Sequence, residues 1–217
     1  MTAAKQETAK PAAVAEAIRD AIVRGDFAPN QRLVEAELSE QFEASRANVR
    51  NALVQLASEG LVERIQNRGA RVRAISLEEA VEITEIRMAL EGLCAAKAAE
   101  RVNESDRKAL KEIGEAMEAA VASGDVFGYS DLNSRLHRAV VEISGQRTAG
   151  EVLERLRGQN VRHQFRLAVQ PGRPNVSLPQ HLAVIDAISR QDPAGAEAAM
   201  REHLRSVIDA LPQASRP

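Results

Sequence analysis

The sequence predicts a mainly α-helical protein in two parts: a small N-terminal unit of three helices and a β-hairpin, then an all-α antiparallel bundle. Three observations carry this. Strand-like alternation is confined to residues 62–74, where it is interrupted at "NRG" as a hairpin would be. From Ser76 onward apolar residues recur at helical spacing with no further strand signal. The 217 residues, 44% apolar and 28% charged, are enough for one large domain or two small ones and do not read as disordered.

In "PAAVAEAIRDAIVR", residues 11–24, Val14, Ile18, Ala21 and Ile22 share one helical face, and Gly25 ends the pattern. "GDFAPNQRL" then reads as a loop, and "VEAELSEQF" as a short second helix carrying Leu38 and Phe42. Glu43 and Ala44 make a tight connection to a third helix capped by Ser45, with Val49, Leu53 and Leu56 as its buried stripe and Gly60 as its stop. The hairpin follows, with Val62 and Arg64 on one limb and Ala70, Val72 and Ala74 on the other.

"SLEEAVEITEIRMALEGLCAAKAAERV" opens with Ser76 and Glu79 at capping-box spacing and repeats apolar residues at Ile83, Ile86, Leu90 and Leu93. Further helices are predicted near 105–122, 126–143, 147–169, 178–190 and 193–211, with "QPGRPNVSLP" as the longest irregular break, giving a bundle of six or seven helices. The expected organisation is a tail over 1–11, a first domain over 12–75, a linker over 76–79, a helical domain over 80–212 and a tail over 213–217.

One cysteine, Cys94, excludes an intrachain disulfide framework and a cysteine-rich zinc site, and fits a reducing compartment, the cytoplasm. The polar start "MTAAKQETAKPAA" does not read as a signal peptide, and no apolar run approaches a membrane span. The net charge of −2 is uneven: Arg46, Arg50, Arg64, Arg68, Arg71 and Arg73 against Glu59 and Glu63 put +4 on residues 45–75 and leave −6 on the rest. A basic segment on an acidic chain points to a local polyanion contact.

A short helix, a tight turn and a helix that begins Ser-Arg outline a helix-turn-helix, whose second helix offers its N-terminal residues to base edges. Arg46 and Arg50, four apart, share a face turned away from Val49 and Leu53. Their guanidinium forks suit guanine or phosphate, and Asn48 between them suits adenine. Ser45 and the free amides beside it suit a phosphate. At the hairpin tip Arg68 and Gly69 combine a cation with a backbone that can approach a minor groove. Singly, each arginine also fits a solvated surface; the ordered set favours DNA.

The stretch "IVRGDFAPNQRLVEAELSEQFEASRANVRNALVQLASEGLVERIQNRGARV" resembles the winged-helix DNA-binding domain of GntR-family transcriptional regulators. The helical remainder resembles the ligand-binding domain of their FadR-type subgroup, called FCD. Gly25, Leu33, Glu35, Leu38, Ser45, Arg46, Val49, Arg50, Ala52, Leu53, Leu56, Glu59, Gly60, Leu61, Arg68 and Gly69 fall where the family has them. Asn48 stands where proline is common, Asn51 where glutamate is common, and Ala36 where some members use a base-reading arginine. The resemblance implies a homodimer on a palindromic double-stranded operator, repression relieved by a ligand, and a small organic-acid effector.

Three of the four histidines lie on apolar helical faces: His137, His181 and His203. If "RQDPAG" turns two antiparallel helices with Asp192 as N-cap, His181 and His203 each lie 11 residues from it and face one another. Asn133 and His137, four apart, add two groups from another face. Such a set suits zinc, nickel, manganese or iron, and also fits buried hydrogen-bonded core positions. The FCD resemblance implies a metal held by three histidines and an acid; Asn133 stands at the acid's place, and Asp131 is poorly aligned to substitute. Arg87, at the edge of an apolar face, would pair with a glutamate or reach water; the resemblance turns it toward a carboxylate effector, with His163 and Arg166 as further candidates. The function expected is thus a DNA-binding regulator. The alternative is a metal-dependent hydrolase or isomerase using the histidines, against which no nearby acid stands out as a general base.

Overall fold

The computed structural model describes residues 11–65, 69–168 and 170–214. The chain divides into two compact units between Ile75 and Ser76. In the first, α1 (Pro11–Arg24) packs on α3 (Arg46–Ser58), and α2 (Glu35–Gln41) packs on α3 from the other end of a short turn. Ile18, Ile22, Leu38, Val49, Leu53 and Leu56 are buried between them. Arg19 of α1 clamps Glu59 at the end of α3 through three hydrogen bonds of 2.8–3.1 Å, which fixes the pitch of α3.

The hairpin is present as β2 (Val62–Ile65) and β3 (Gly69–Val72), with Val62 opposite Val72 and Ile65 opposite Gly69. A third strand, β1 (Arg32–Leu33), pairs antiparallel on the far side of β3 and makes the sheet order β1-β3-β2. These residues lie in the stretch expected to be a loop; two residues are too few to show alternation, and only pairing reveals them. Gly69 has φ +88, and a Cβ there would lie 2.6 Å from the carbonyl oxygen of Leu33. Its glycine is therefore required by the close approach of β1, whatever lies outside the sheet. Gly69→Ala is expected to cost about 1–3 kcal/mol and to lower the unfolding midpoint by several degrees in a circular-dichroism melt.

The second unit comprises α4 (Leu77–Arg101), α5 (Glu104–Ser123), α6 (Val126–Ser144), α7 (Arg147–Ala168), α8 (Arg173–Ser189) and α9 (Pro193–Ala214). α4 is its axis and packs against α6, α7, α8 and α9. Against α9 it turns small side chains: Ala95, Ala98 and Ala99 on α4 and Ala196 on α9 are fully buried, which lets the backbones come close. Larger groups, Leu110, Met117, Leu136, Leu153, Ile188, Met200 and Leu204, fill the remaining core. Helix starts are capped by Ser76, Asn103, Asp125 and Asp192, each accepting a backbone N–H three residues on.

Two expectations about boundaries change. Residues 77–79, expected within a linker, are the first turn of α4. The irregular break expected across "QPGRPNVSLP" is short, because α8 already begins at Arg173 and runs through Pro179. Pro174 suits a helix start. Pro179 removes one N–H, and the carbonyl it deserts belongs to exposed Asn175, where water can take the bond. Among the described residues no helix is long and apolar enough to cross a membrane.

Candidate nucleic-acid interface and candidate metal centre

At the start of α3, Ser45 is extended (φ −66, ψ 148) and its Oγ accepts the backbone N–H of Asn48 at 3.1 Å. A proline at 48 would have no N–H to give, so asparagine here closes the cap. Arg46 and Arg50 are exposed on this turn. Arg50 is held by Glu35 of α2, with Nη2 to Oε2 at 2.7 Å and Nε to Oε1 at 3.1 Å. The Arg50 guanidinium, outweighing some burial, holds the Glu35 carboxyl below its usual range.

Arg46 and Arg50 share a groove with Arg32 and Arg64, floored by Leu53 and Ile65 and bordered by Gly69. Four guanidiniums on one concavity suit a phosphate backbone with base edges beyond it. The place of Arg32 depends on β1, and that of Arg64 on the pairing of β2 with β3, so neither is marked as a groove residue by local sequence signals. Arg71 is instead paired with Glu63 at 2.7 Å. Arg68 lies outside the described residues.

In the helical unit His137 of α6, His181 of α8 and His203 of α9 converge, all buried, with one ligand atom from each lying within 4.8 Å of the others. His181 Nε2 and His203 Nε2 are 3.2 Å apart. Two ligands at about 2.0–2.1 Å from a zinc ion in tetrahedral or octahedral geometry stand about this far apart.

The outer nitrogens settle which atoms point inward. His203 Nδ1 donates to Gln180 Oε1 at 3.2 Å, and His137 Nδ1 donates to the Glu91 carboxylate. Ser177 Oγ donates to the Arg173 carbonyl at 3.1 Å, so Tyr129 OH, 2.9 Å away, must donate to Ser177. Tyr129 then accepts from His181 Nδ1 at 2.9 Å. Burial pushes the Tyr129 hydroxyl up to about 12, so it keeps its proton at neutral pH. All three imidazoles thereby have Nδ1 as donor and Nε2 as a bare lone pair facing its neighbours. Burial lowers His137 and holds His181 and His203 well below the usual imidazole range, which keeps them neutral. Neutral, convergent Nε2 atoms with their other nitrogen anchored are the donor set of a divalent transition metal, and the residues fit one.

Glu91 is the hub behind His137. Arg87 Nε reaches Oε1 at 2.9 Å and Arg157 Nη2 reaches Oε2 at 3.1 Å. Burial acts to raise its pKa, but Arg87, His137 and Arg157 together hold it well below the carboxylate range. Sequence reasoning missed Glu91, although its spacing from Arg87 marks a helical pair. It also missed Tyr129 and Ser177, four residues before Asn133 and His181 on the same helical faces.

Beside the histidines lies a cavity of about 540 Å³ including its open mouth. Arg87, Tyr129, Asn133, Gln164 and Arg173 supply polar wall, and Leu167, Leu204 and Val207 apolar wall. Asn133 thus stands at the cavity, whereas Asp131 is exposed. Arg87 also lines it, but with its Nε given to Glu91. His163 is half-buried on α7 and does not line the cavity; its neighbour Gln164 does.

Comparison with known proteins agrees with both halves. Residues 11–72 match the family described as bacterial regulatory proteins, gntR family, and residues 82–206 match the FCD domain. The chain is 28% identical over 196 residues to the HTH-type transcriptional repressor RspR of Escherichia coli K12, covering 90% of this chain and 86% of that one. It is 28% identical over 205 residues to the HTH-type transcriptional repressor GlaR of the same organism, covering 91% and 93%. The solved structure of E. coli McbR/YncC shares the fold with a TM-score of 0.82 at 23% identity, over 94% of this chain and 97% of that one. The chain is a DNA-binding transcriptional regulator of the GntR family, built from a winged helix-turn-helix and an FCD domain.

Proposed function

We propose that this regulator is a repressor that binds a palindromic operator as a homodimer in the cytoplasm. In this reading its operator affinity is set by a small organic acid bound beside a divalent cation in the FCD domain. The observation that carries the reading is the convergence of three buried imidazoles, each with a hydrogen-bond partner at its Nδ1. His137, His181 and His203 would hold the cation, with the Asn133 side chain on the same cavity wall as an oxygen donor. Zinc suits these donors best; nickel, manganese and iron remain compatible. When bound, the cation supplies a positive, Lewis-acidic point that attracts a carboxylate.

Repression is supported by RspR and GlaR, both described as repressors. On the DNA side Ser45, Arg46, Asn48, Arg50, Arg68 and Gly69 remain the proposed contacts, joined by Arg32 and Arg64 of the groove. Arg50 must leave Glu35, or carry it along, to reach a base; this exposed pair is weak enough to exchange for phosphate or guanine. An enzymatic reading gains nothing. The family and its relatives are regulators, and the acid bound to His137, Glu91, is clamped by two arginines and unsuited to act as a base.

An acid that shifts operator affinity must bind the competent and incompetent states unequally. The test is fluorescence anisotropy of an operator selected in vitro, titrated with zinc-loaded protein in a panel of carboxylic acids. At least one acid should change operator affinity by about 5- to 150-fold, and chelation should abolish the response. A panel without effect, or a response that survives chelation, would contradict the reading.

A further inference from the structure

Among the described residues, two buried donors of the cavity wall have no hydrogen-bond partner: Arg173 Nη2 and Gln164 Nε2. Leaving such groups unmet is costly, so they mark a place where something else completes them. Arg173 is fixed in position by its other arm, whose Nη1 donates to Ser206 Oγ at 3.0 Å and to the Ser206 carbonyl at 3.3 Å. Among the described residues no carboxylate forms a salt bridge with it. Its burial disfavours the charged form, a cost that an anion would offset.

The spacing is informative. Ser206 follows His203 by three residues on α9, about 4.5 Å along the axis, so the guanidinium is pinned roughly one turn from the histidine cluster. Arg173 itself stands on the same face of α8 as Ser177 and His181. Leu204 and Val207, with Leu167 opposite on α7, supply apolar wall in the same cavity. Among the described residues the charged groups on or bound to the cavity wall are Arg87, Arg157 and Arg173 against Glu91, so this wall is cationic before any metal is counted.

We infer that Arg173 and Gln164 form a second anion-binding subsite and that the effector is a short dicarboxylate, one carboxylate at the histidine-held cation and the other on Arg173 Nη2 and Gln164 Nε2. This rests on the acid-effector reading above and narrows it. With the guanidinium pinned about one helical turn from the histidines, a second carboxylate carried on a short methylene chain would reach it, and that chain suits the apolar wall beside them.

Calorimetry on the zinc-loaded full-length protein tests it, comparing malonate, succinate and glutarate with propionate, butyrate and pentanoate. At least one dicarboxylate should bind about 10- to 100-fold more tightly than the monocarboxylate of equal length. Arg173→Gln should erase that preference while leaving zinc affinity unchanged. Gln164→Glu, which sets a carboxylate against Arg173 inside the protein, should also erase it, and serves if Arg173→Gln fails to fold. Equal binding of the two series by the wild type, or a preference that persists in either folded variant, would overturn the subsite alone. Zinc binding with no heat from any acid would overturn the acid-effector reading together with it.

Discussion

Changing Arg46 and Arg50 together to alanine will lower operator affinity by about 30-fold or more at fixed salt, because each bidentate contact is worth about 1–3 kcal/mol. The two residues open the recognition helix α3, where Ser45 fixes the backbone through Asn48. Neither carries the fold: both are exposed, and Arg50 pairs with the carboxylate of Glu35 at 2.7 Å. The double variant should therefore keep its helical circular dichroism and its zinc affinity. Salt must be held constant, because loss of two cations also flattens the salt dependence of binding. A folded double variant that still bound operator like the wild type would move DNA recognition off this helix. Glu35→Gln makes a useful companion. It releases Arg50 without removing it, and should raise rather than lower affinity for non-specific DNA.

His181→Ala will reduce zinc affinity by about 100-fold or more, read by competition with a chromophoric chelator. It removes one of the three proposed ligands, whose Nε2 stands 3.2 Å from that of His203. Tyr129→Phe keeps every ligand but takes away the acceptor of His181 Nδ1–H, which frees that ring to adopt the wrong tautomer or turn. A loss of about 10- to 100-fold is expected there, as for other partners of metal-bound histidine. Zinc at 100 times its dissociation constant should also stabilise the wild type by about 2.7 kcal/mol in thermal unfolding, and His181→Ala should abolish that gain. Unchanged zinc affinity in His181→Ala would mean that the histidines are core residues only.

The helix-turn-helix and the histidine pairing were both legible in the sequence, for one reason: each depends on local signals that fix register. Ser45 announces the start of α3, and Asp192 with Pro193 announces the turn that sets His181 level with His203. What was not legible depends on contacts between distant segments. β1 has two residues and exists only because β3 pairs with it, so Arg32 and the reason for Gly69 stayed hidden. Glu91 carried no signal beyond its four-residue spacing from Arg87, whereas packing of α6 and α7 onto α4 buries it and delivers His137 and Arg157 to the same carboxylate. Arg173 fell inside a stretch read as irregular because of its prolines, and could be placed at the cavity only once α8 was seen to begin there.

The most direct measurement is an anomalous-scattering map from crystals of the full-length protein purified without chelators and supplied with zinc. The expected result is one strong peak per chain, about 2.0–2.1 Å from Nε2 of His137, His181 and His203, with the three Nδ1 atoms still on Glu91, Tyr129 and Gln180. A map with no peak at the three histidines, or with zinc held only by exposed carboxylates, would contradict the assignment of the FCD cavity as a metal-dependent effector site.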